Sequence, residues 1–152
     1  MANVQGMATT FKQDILNGLH AFGPSVIRAA TTKDVFKAAL YLTTATITAA
    51  TTAYSSINEV TGTGYTAGGV VVTTATAPSF TGTTAFVTPS ASIVYTTVTL
   101  TTAFDCVLIY NSTAAGQNAV SVHTFGAQTV TAGTFTLSMP SNDSTNGLIR
   151  IA

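Results

Sequence analysis

The side chains that could carry acid, base or metal chemistry are few in this chain of 152 residues. His20 and His123 are the only histidines and Cys106 the only cysteine, so no ligand spacing of the zinc kind exists. The five carboxylates, Asp14, Asp34, Glu59, Asp105 and Asp143, are too scattered for a calcium loop or the paired acids of glycoside hydrolysis. A set of a serine, His123 and Asp105 is conceivable in three dimensions, but no nucleophile elbow supports it. No enzyme, cofactor or metal site is expected. Asp105, between Phe104 and Cys106, would be costly to bury unpaired. It is expected at a strand start or beside Arg28, Lys37 or Arg150.

The glycine-rich run Thr61 to Gly69 invites a phosphate-binding reading. No Gly-Lys-Ser/Thr follows it, the run leads into a strand pattern, and no basic residue is near, so both phosphate fingerprints fail. Gly62, Gly64, Tyr65, Gly68 and Gly69 read instead as a structural loop that needs positive φ at several positions.

The elements around these residues are mostly strands. One amphipathic helix is expected first, because Phe11, Ile15, Leu16, Leu19 and Phe22 share one face of a 3.6-residue period. Thr10 and Gln13 suit a capping box, and Gly23-Pro24 a stop, while Gly18 weakens the pattern. From Asp34 the period becomes two, with apolar residues on both sides of the strand, which predicts cover on both faces. Phe104 to Tyr110 reads as a central strand holding Cys106 as a small core hydrophobe, with a turn at Asn111 to Gly116. Val94, Thr96, Val98 and Leu100 alternate with Tyr95, Thr97 and Thr99, and Phe135, Leu137 and Met139 alternate with hydroxyl residues. Turns are expected at Gly126, at Thr131-Ala132-Gly133 and at Asn146-Gly147; in Ala45 to Glu59, Ile47, Tyr54 and Ile57 fit a loose helix or an irregular strand. Many short strands between turn signals predict a mainly β fold, an antiparallel β-sandwich of jelly-roll type with one short N-terminal helix. Residues 1–30 form the arm and helix, and residues 31–152 the sandwich domain. The helix residues Phe11, Ile15, Leu19 and Phe22 are candidates for contact with another subunit.

Composition adds a constraint on partners. Charged residues make up 7% of the chain and formal net charge is zero, against about 25% charged in an ordinary soluble domain. Threonine fills about a fifth of the positions, in Val, Ala and Gly surroundings that suit strands. Such a surface is poorly protected from self-association, so a large assembly is a natural setting for it. Five scattered Lys and Arg residues do not make a nucleic-acid interface. No apolar run approaches the ~18 residues of a spanning helix, and the N-terminus carries no secretory pattern.

Several stretches resemble a family of small virion proteins of short-tailed phages. They are Asp34 to Tyr41, Val107 to Asn111, Leu148 to Ala152 and, the most specific, Asn58 to Gly69 with its Gly-Thr-Gly-Tyr-Thr-Ala-Gly-Gly phrase. The resemblance covers most of the chain beyond residue 30, and the Thr-rich, charge-poor stretch from Thr43 to Thr102 departs from it. It implies a capsid decoration or cement protein on the capsid exterior, made in the host cytoplasm, with the major capsid protein and further copies of itself as partners. A neck or tail position in the virion is the alternative. A carbohydrate-binding adhesion module ranks lower, since tryptophan is absent and the five tyrosines show no cluster in sequence.

Overall fold

A computed structural model describes residues 3–8, 11, 15, 19, 20, 22, 33–82 and 84–151. The fold is mainly β and every strand pairing is antiparallel. Strands β1 (Gly6–Met7), β2 (Phe36–Leu42), β3 (Val70–Val71), β6 (Ile93–Asn111) and β7 (Ala119–Leu137) form one sheet in the order β1-β7-β6-β2-β3. Strands β4 (Ser79–Thr81), β5 (Thr84–Val87) and β8 (Ile149–Ile151) form a second in the order β4-β5-β8. This order does not by itself make the jelly roll expected from strand count.

The half of the large sheet nearest the 112–118 loop is the most deeply buried part of the core. β2 and the second half of β6 are buried on both faces, as their apolar runs predict. Ala38 pairs with Ile109, Leu40 with Val107, and Leu108 with Val122. On one face Val87 and Ile149 of the small sheet meet Phe36 and Ile109 around a void of about 20 Å³. The segment 43–69 makes no strand of its own. It is tied to the large sheet by single bridges, Tyr41 to Glu59 and Thr63 to Thr99, and by backbone bonds such as Val60 N–H to the Leu40 carbonyl at 2.9 Å. Cys106 lies fully buried in this core, and burial pushes its thiol up to about 12.

The half of β6 and β7 distal to the 112–118 loop is a two-stranded ribbon, with Ile93, Tyr95, Val98 and Leu100 on its inner face part of the core. The two strands run 19 residues each, and the pairing register shifts at several points. One shift falls between Tyr95 and Val98, where Thr97 has φ of 54°. That extra residue inverts the alternation expected for this strand: Ile93 and Tyr95 point inward with Val98 and Leu100, while Val94 is 39% exposed. A second departure is Thr131-Ala132-Gly133. The residues expected to turn the chain lie inside β7, with Ala132 at φ of 46°. The turn expected at Gly126 is likewise continuous strand. Phe135, Leu137 and Met139 do pack on the core, and Thr134 and Thr136 are exposed, as alternation predicts.

The expected N-terminal helix is not seen as an element. Phe11 and Ile15 have helical backbone, whereas Leu19, His20 and Phe22 do not; the remaining positions of the expected helix, Leu16 and Gly18 among them, lie outside the described residues. What draws the described residues to their positions is an aromatic cluster. Phe22 stacks on Phe36 with centroids 4.5 Å apart and nearly parallel rings, and Phe11 meets it edge-on at 5.7 Å.

Candidate functional site

The one buried acid among the described residues organises the most polar part of the interior. Glu59 is 6% exposed. It follows Asn58, whose φ of 59° turns the chain back toward β2. Its Oε2 accepts from the Tyr54 hydroxyl at 2.6 Å; its Oε1 accepts from the Tyr65 hydroxyl and the Gly68 N–H, both at 2.7 Å. Three donors thus replace the water that burial removes, two of them tyrosines. The other tyrosines belong to the same neighbourhood. Tyr110 stacks on Tyr54 at 4.6 Å and donates to the Gly68 carbonyl; Tyr95 stacks on Tyr65 at 6.0 Å and donates to the Ala38 carbonyl. Tyr41 donates to the Ser55 carbonyl at 2.6 Å. All five tyrosines, unclustered in sequence, are therefore drawn around one carboxylate.

Burial, and then hydrogen bonding to the Glu59 carboxylate, push the Tyr54 and Tyr65 hydroxyls far above their usual range. Burial and the Glu59 charge raise Tyr95 and Tyr110 as well. Groups held protonated this firmly are hydrogen-bond donors and poor acid–base catalysts near neutrality. The cluster fastens the 43–69 segment to the sheet. Sequence reading passed over Glu59; the only signal was an isolated acid beside Val60 and the glycine loop.

The structure brings the glycine-loop residues into the same lock. A methyl group on Gly62 would collide with the Thr99 carbonyl oxygen, and one on Gly64 with that of Thr97. At Gly69, with φ of 73°, it would overlap the Ala38 carbonyl. The loop is thus pressed backbone to backbone against β6 and β2, leaving no cradle for a phosphate, and Tyr65 reaches past it to accept the Leu40 N–H at 3.0 Å.

Of the expected subunit-contact residues, Phe11 has no exposed surface, and Ile15, Leu19 and Phe22 are half-buried. Phe11 and Phe22 are used within the chain's own aromatic cluster. His20 sits among Phe11, Phe22 and Phe36, with Nδ1 3.1 Å from the Asn111 side-chain amide. Ile15 and Phe22 also line an apolar groove of about 190 Å³ with Ala85, Phe86 and Ile151.

His123 and Ser121 alternate on one face of β7, with Ser121 Oγ 2.9 Å from Nε2. That distance suits a nucleophile and base, but Ser121 is only 3% exposed. The third member imagined for such a set is engaged elsewhere: Asp105 Oδ1 accepts from the Asn3 side-chain amide at 2.6 Å. Asn3 also accepts the Ile47 N–H, so Asp105, inside β6 and not at the strand start expected for it, ties the N-terminal segment down through an amide; of the cations expected as the other possibility, Arg28 lies outside the described residues. Burial lowers the His123 imidazole to about 4, so it is neutral at pH 7.

The remaining candidate is a surface. On the distal ribbon Val94, Thr96, Thr97, Thr101 and Thr102 of β6 are exposed, as are Thr129, Thr131, Thr134 and Thr136 of β7. In both strands together the only Asp, Glu, Lys or Arg residue is Asp105, and His123 is held neutral by burial. Among the described residues no group of three or more His, Cys, Asp and Glu side chains could hold a metal, and no helix is long and apolar enough to cross a membrane. Comparison with family models, curated proteins and solved structures gives no match.

Proposed function

We propose that the chain is a structural subunit of a phage particle, a decoration or cement protein that binds across major capsid subunits on the head exterior and stabilises them. The observation that carries this reading is the uncharged hydroxyl surface of the distal β6–β7 ribbon. Burying a charge against a neighbour costs several kcal/mol unless it is paired. A threonine hydroxyl can donate or accept and carries a methyl group that gains from burial. A surface of this kind can be covered by many partner geometries at little desolvation cost. The glycine phrase and the other stretches that resemble small virion proteins of short-tailed phages support the same reading, with the two sheets packing as one sandwich-like body.

The test is the protein profile of a purified particle that contains the chain. Copies on the order of hundreds per particle are expected of decoration. About six or twelve copies would move the chain to the neck or tail, as cyclic symmetry there requires, and absence from the particle would overturn the proposal.

A further inference from the structure

Where β6 and β7 pair only with each other, each has an outer edge; that of β6 is met by the 43–69 segment, with Thr43 N–H bonding the Ala103 carbonyl and Thr63 bridging Thr99. β7 has β6 on its inner side; on its outer side, among the described residues, only Gly6 and Met7 pair with it, opposite Val122 and Ser121. The edge from His123 to Leu137 therefore runs on with no strand beside it among the described residues, and Gly126 to Thr129, Thr131, Ala132, Thr134 and Thr136 are exposed there. Soluble proteins blunt such edges with Lys, Pro, inward-pointing charges or brevity. This stretch contains no Lys, Arg, Asp, Glu or Pro. The one device present is the kink at Ala132, with φ of 46°.

We infer that the His123–Leu137 edge pairs antiparallel with the same edge of a second copy of this chain, around a two-fold axis near Val130. The charge pattern selects this occupant. In a two-fold pairing the residues near the axis meet their own copies, so any charge there meets its like, at a cost. An edge meant for a different protein gains selectivity and association rate from complementary charge. Here the edge carries none, and the flanking Thr129 and Thr131 would face β-branched, hydroxyl-bearing partners, a favourable cross-strand pairing. The inference specifies how copies join and does not depend on the particle reading.

The experiment uses the full chain and three edge variants, Thr129→Lys, Thr131→Lys and Thr129→Glu, with Ser56→Lys as a surface control away from the edge. Sedimentation equilibrium over a concentration series is expected to show a reversible dimer for the wild type and for Ser56→Lys. Each edge variant, with its circular dichroism unchanged, is expected to associate roughly tenfold or more weakly. Mixing Thr129→Lys with Thr129→Glu is expected to restore dimers, because opposite charges then meet near the axis. Amide exchange should become slower in 123–137 as wild-type concentration rises. A wild type that stays monomeric up to about 1 mM, far above any specific interface, would overturn the inference. So would edge variants that dimerise as the wild type does, or a mixture no tighter than its components. A dimer of this kind from a chain absent from the particle would leave this inference standing and remove only the particle reading.

Discussion

Glu59 is the residue on which most interior polar groups converge, and its removal has a calculable consequence. Glu59→Ala leaves the Tyr54 and Tyr65 hydroxyls and the Gly68 N–H without their acceptor. A loss of about 3 kcal/mol or more is expected in urea denaturation, since each orphaned buried donor costs about 1–3 kcal/mol. Glu59→Gln keeps one acceptor oxygen and is expected to lose about half as much. The tyrosines supply a second test at this scale. Because folding holds their hydroxyls protonated, above pH 10 the unfolded chain releases protons the folded one retains. Stability is then expected to fall as pH rises beyond 10, and tyrosinate absorbance near about 295 nm should appear only together with unfolding. His123 acts at the acid end with the opposite sign. Its folded value of about 4 lies below the ordinary 6.5, so its contribution is complete above about pH 6.5 and is lost as pH falls toward 4. That loss is on the order of 2 kcal/mol after allowance for partial exposure. In His123→Gln the slope between pH 6.5 and 4 should flatten in thermal melts. None of these roles was legible from spacing, because Tyr54, Tyr65 and Gly68, though within nine residues of Glu59, lie in irregular chain with no period to show which side chains face one another.

At the scale of elements, strand assignment followed from burial pattern wherever a strand was covered on both faces. Phe36–Leu42 and Phe104–Tyr110 were legible because their apolar runs have no other use, and the turn after Asn111 because its side-chain Oδ1 accepts the Thr113 and Ala114 N–H groups. The distal ribbon was read less well. Its register shifts at Tyr95–Val98 and near Ala132 rest on threonine and alanine held at positive φ, and neither type advertises such a bend in sequence. Thr131-Ala132-Gly133 carries a turn signal yet is spent on a bulge. The hairpin of β4 and β5 escaped notice because its strands are three and four residues long. The glycines separate loop chemistry from strand chemistry cleanly. Gly69→Ala is expected to cost about 3 kcal/mol or more, since the added methyl overlaps the Ala38 carbonyl at positive φ. Gly126→Ala meets open space inside a strand and is expected to be neutral or to gain about 0.5 kcal/mol. Denaturant midpoints of the two variants measured side by side check the contrast.

For the molecule as a whole, composition was the most informative part of the sequence. A nearly charge-free chain rich in threonine pointed to an assembly, and the structure locates much of that surface on the outer face of the distal ribbon, whose inner face packs in the core. The expected N-terminal arm fares differently: Asn3 bonds Asp105 and Ile47, Ala8 N–H bonds the Val120 carbonyl, and Phe11 lies in the core. Removing residues 1–30 is therefore expected to lower the thermal midpoint by several degrees or more, whatever its effect on particle binding. The pairing of β2 with β6 has a consequence for synthesis. Phe36–Leu42 finds its partner only when Phe104–Asn111 has been made, roughly 70 residues later. At about 5–20 residues per second, this apolar strand waits several seconds on the ribosome without its neighbour. β6 and β7, joined by one short loop, can zip as a local hairpin as soon as both emerge. A nascent chain stalled before Ala119 would thus present two sticky strands and no finished edge, the state in which a holding chaperone has most to bind.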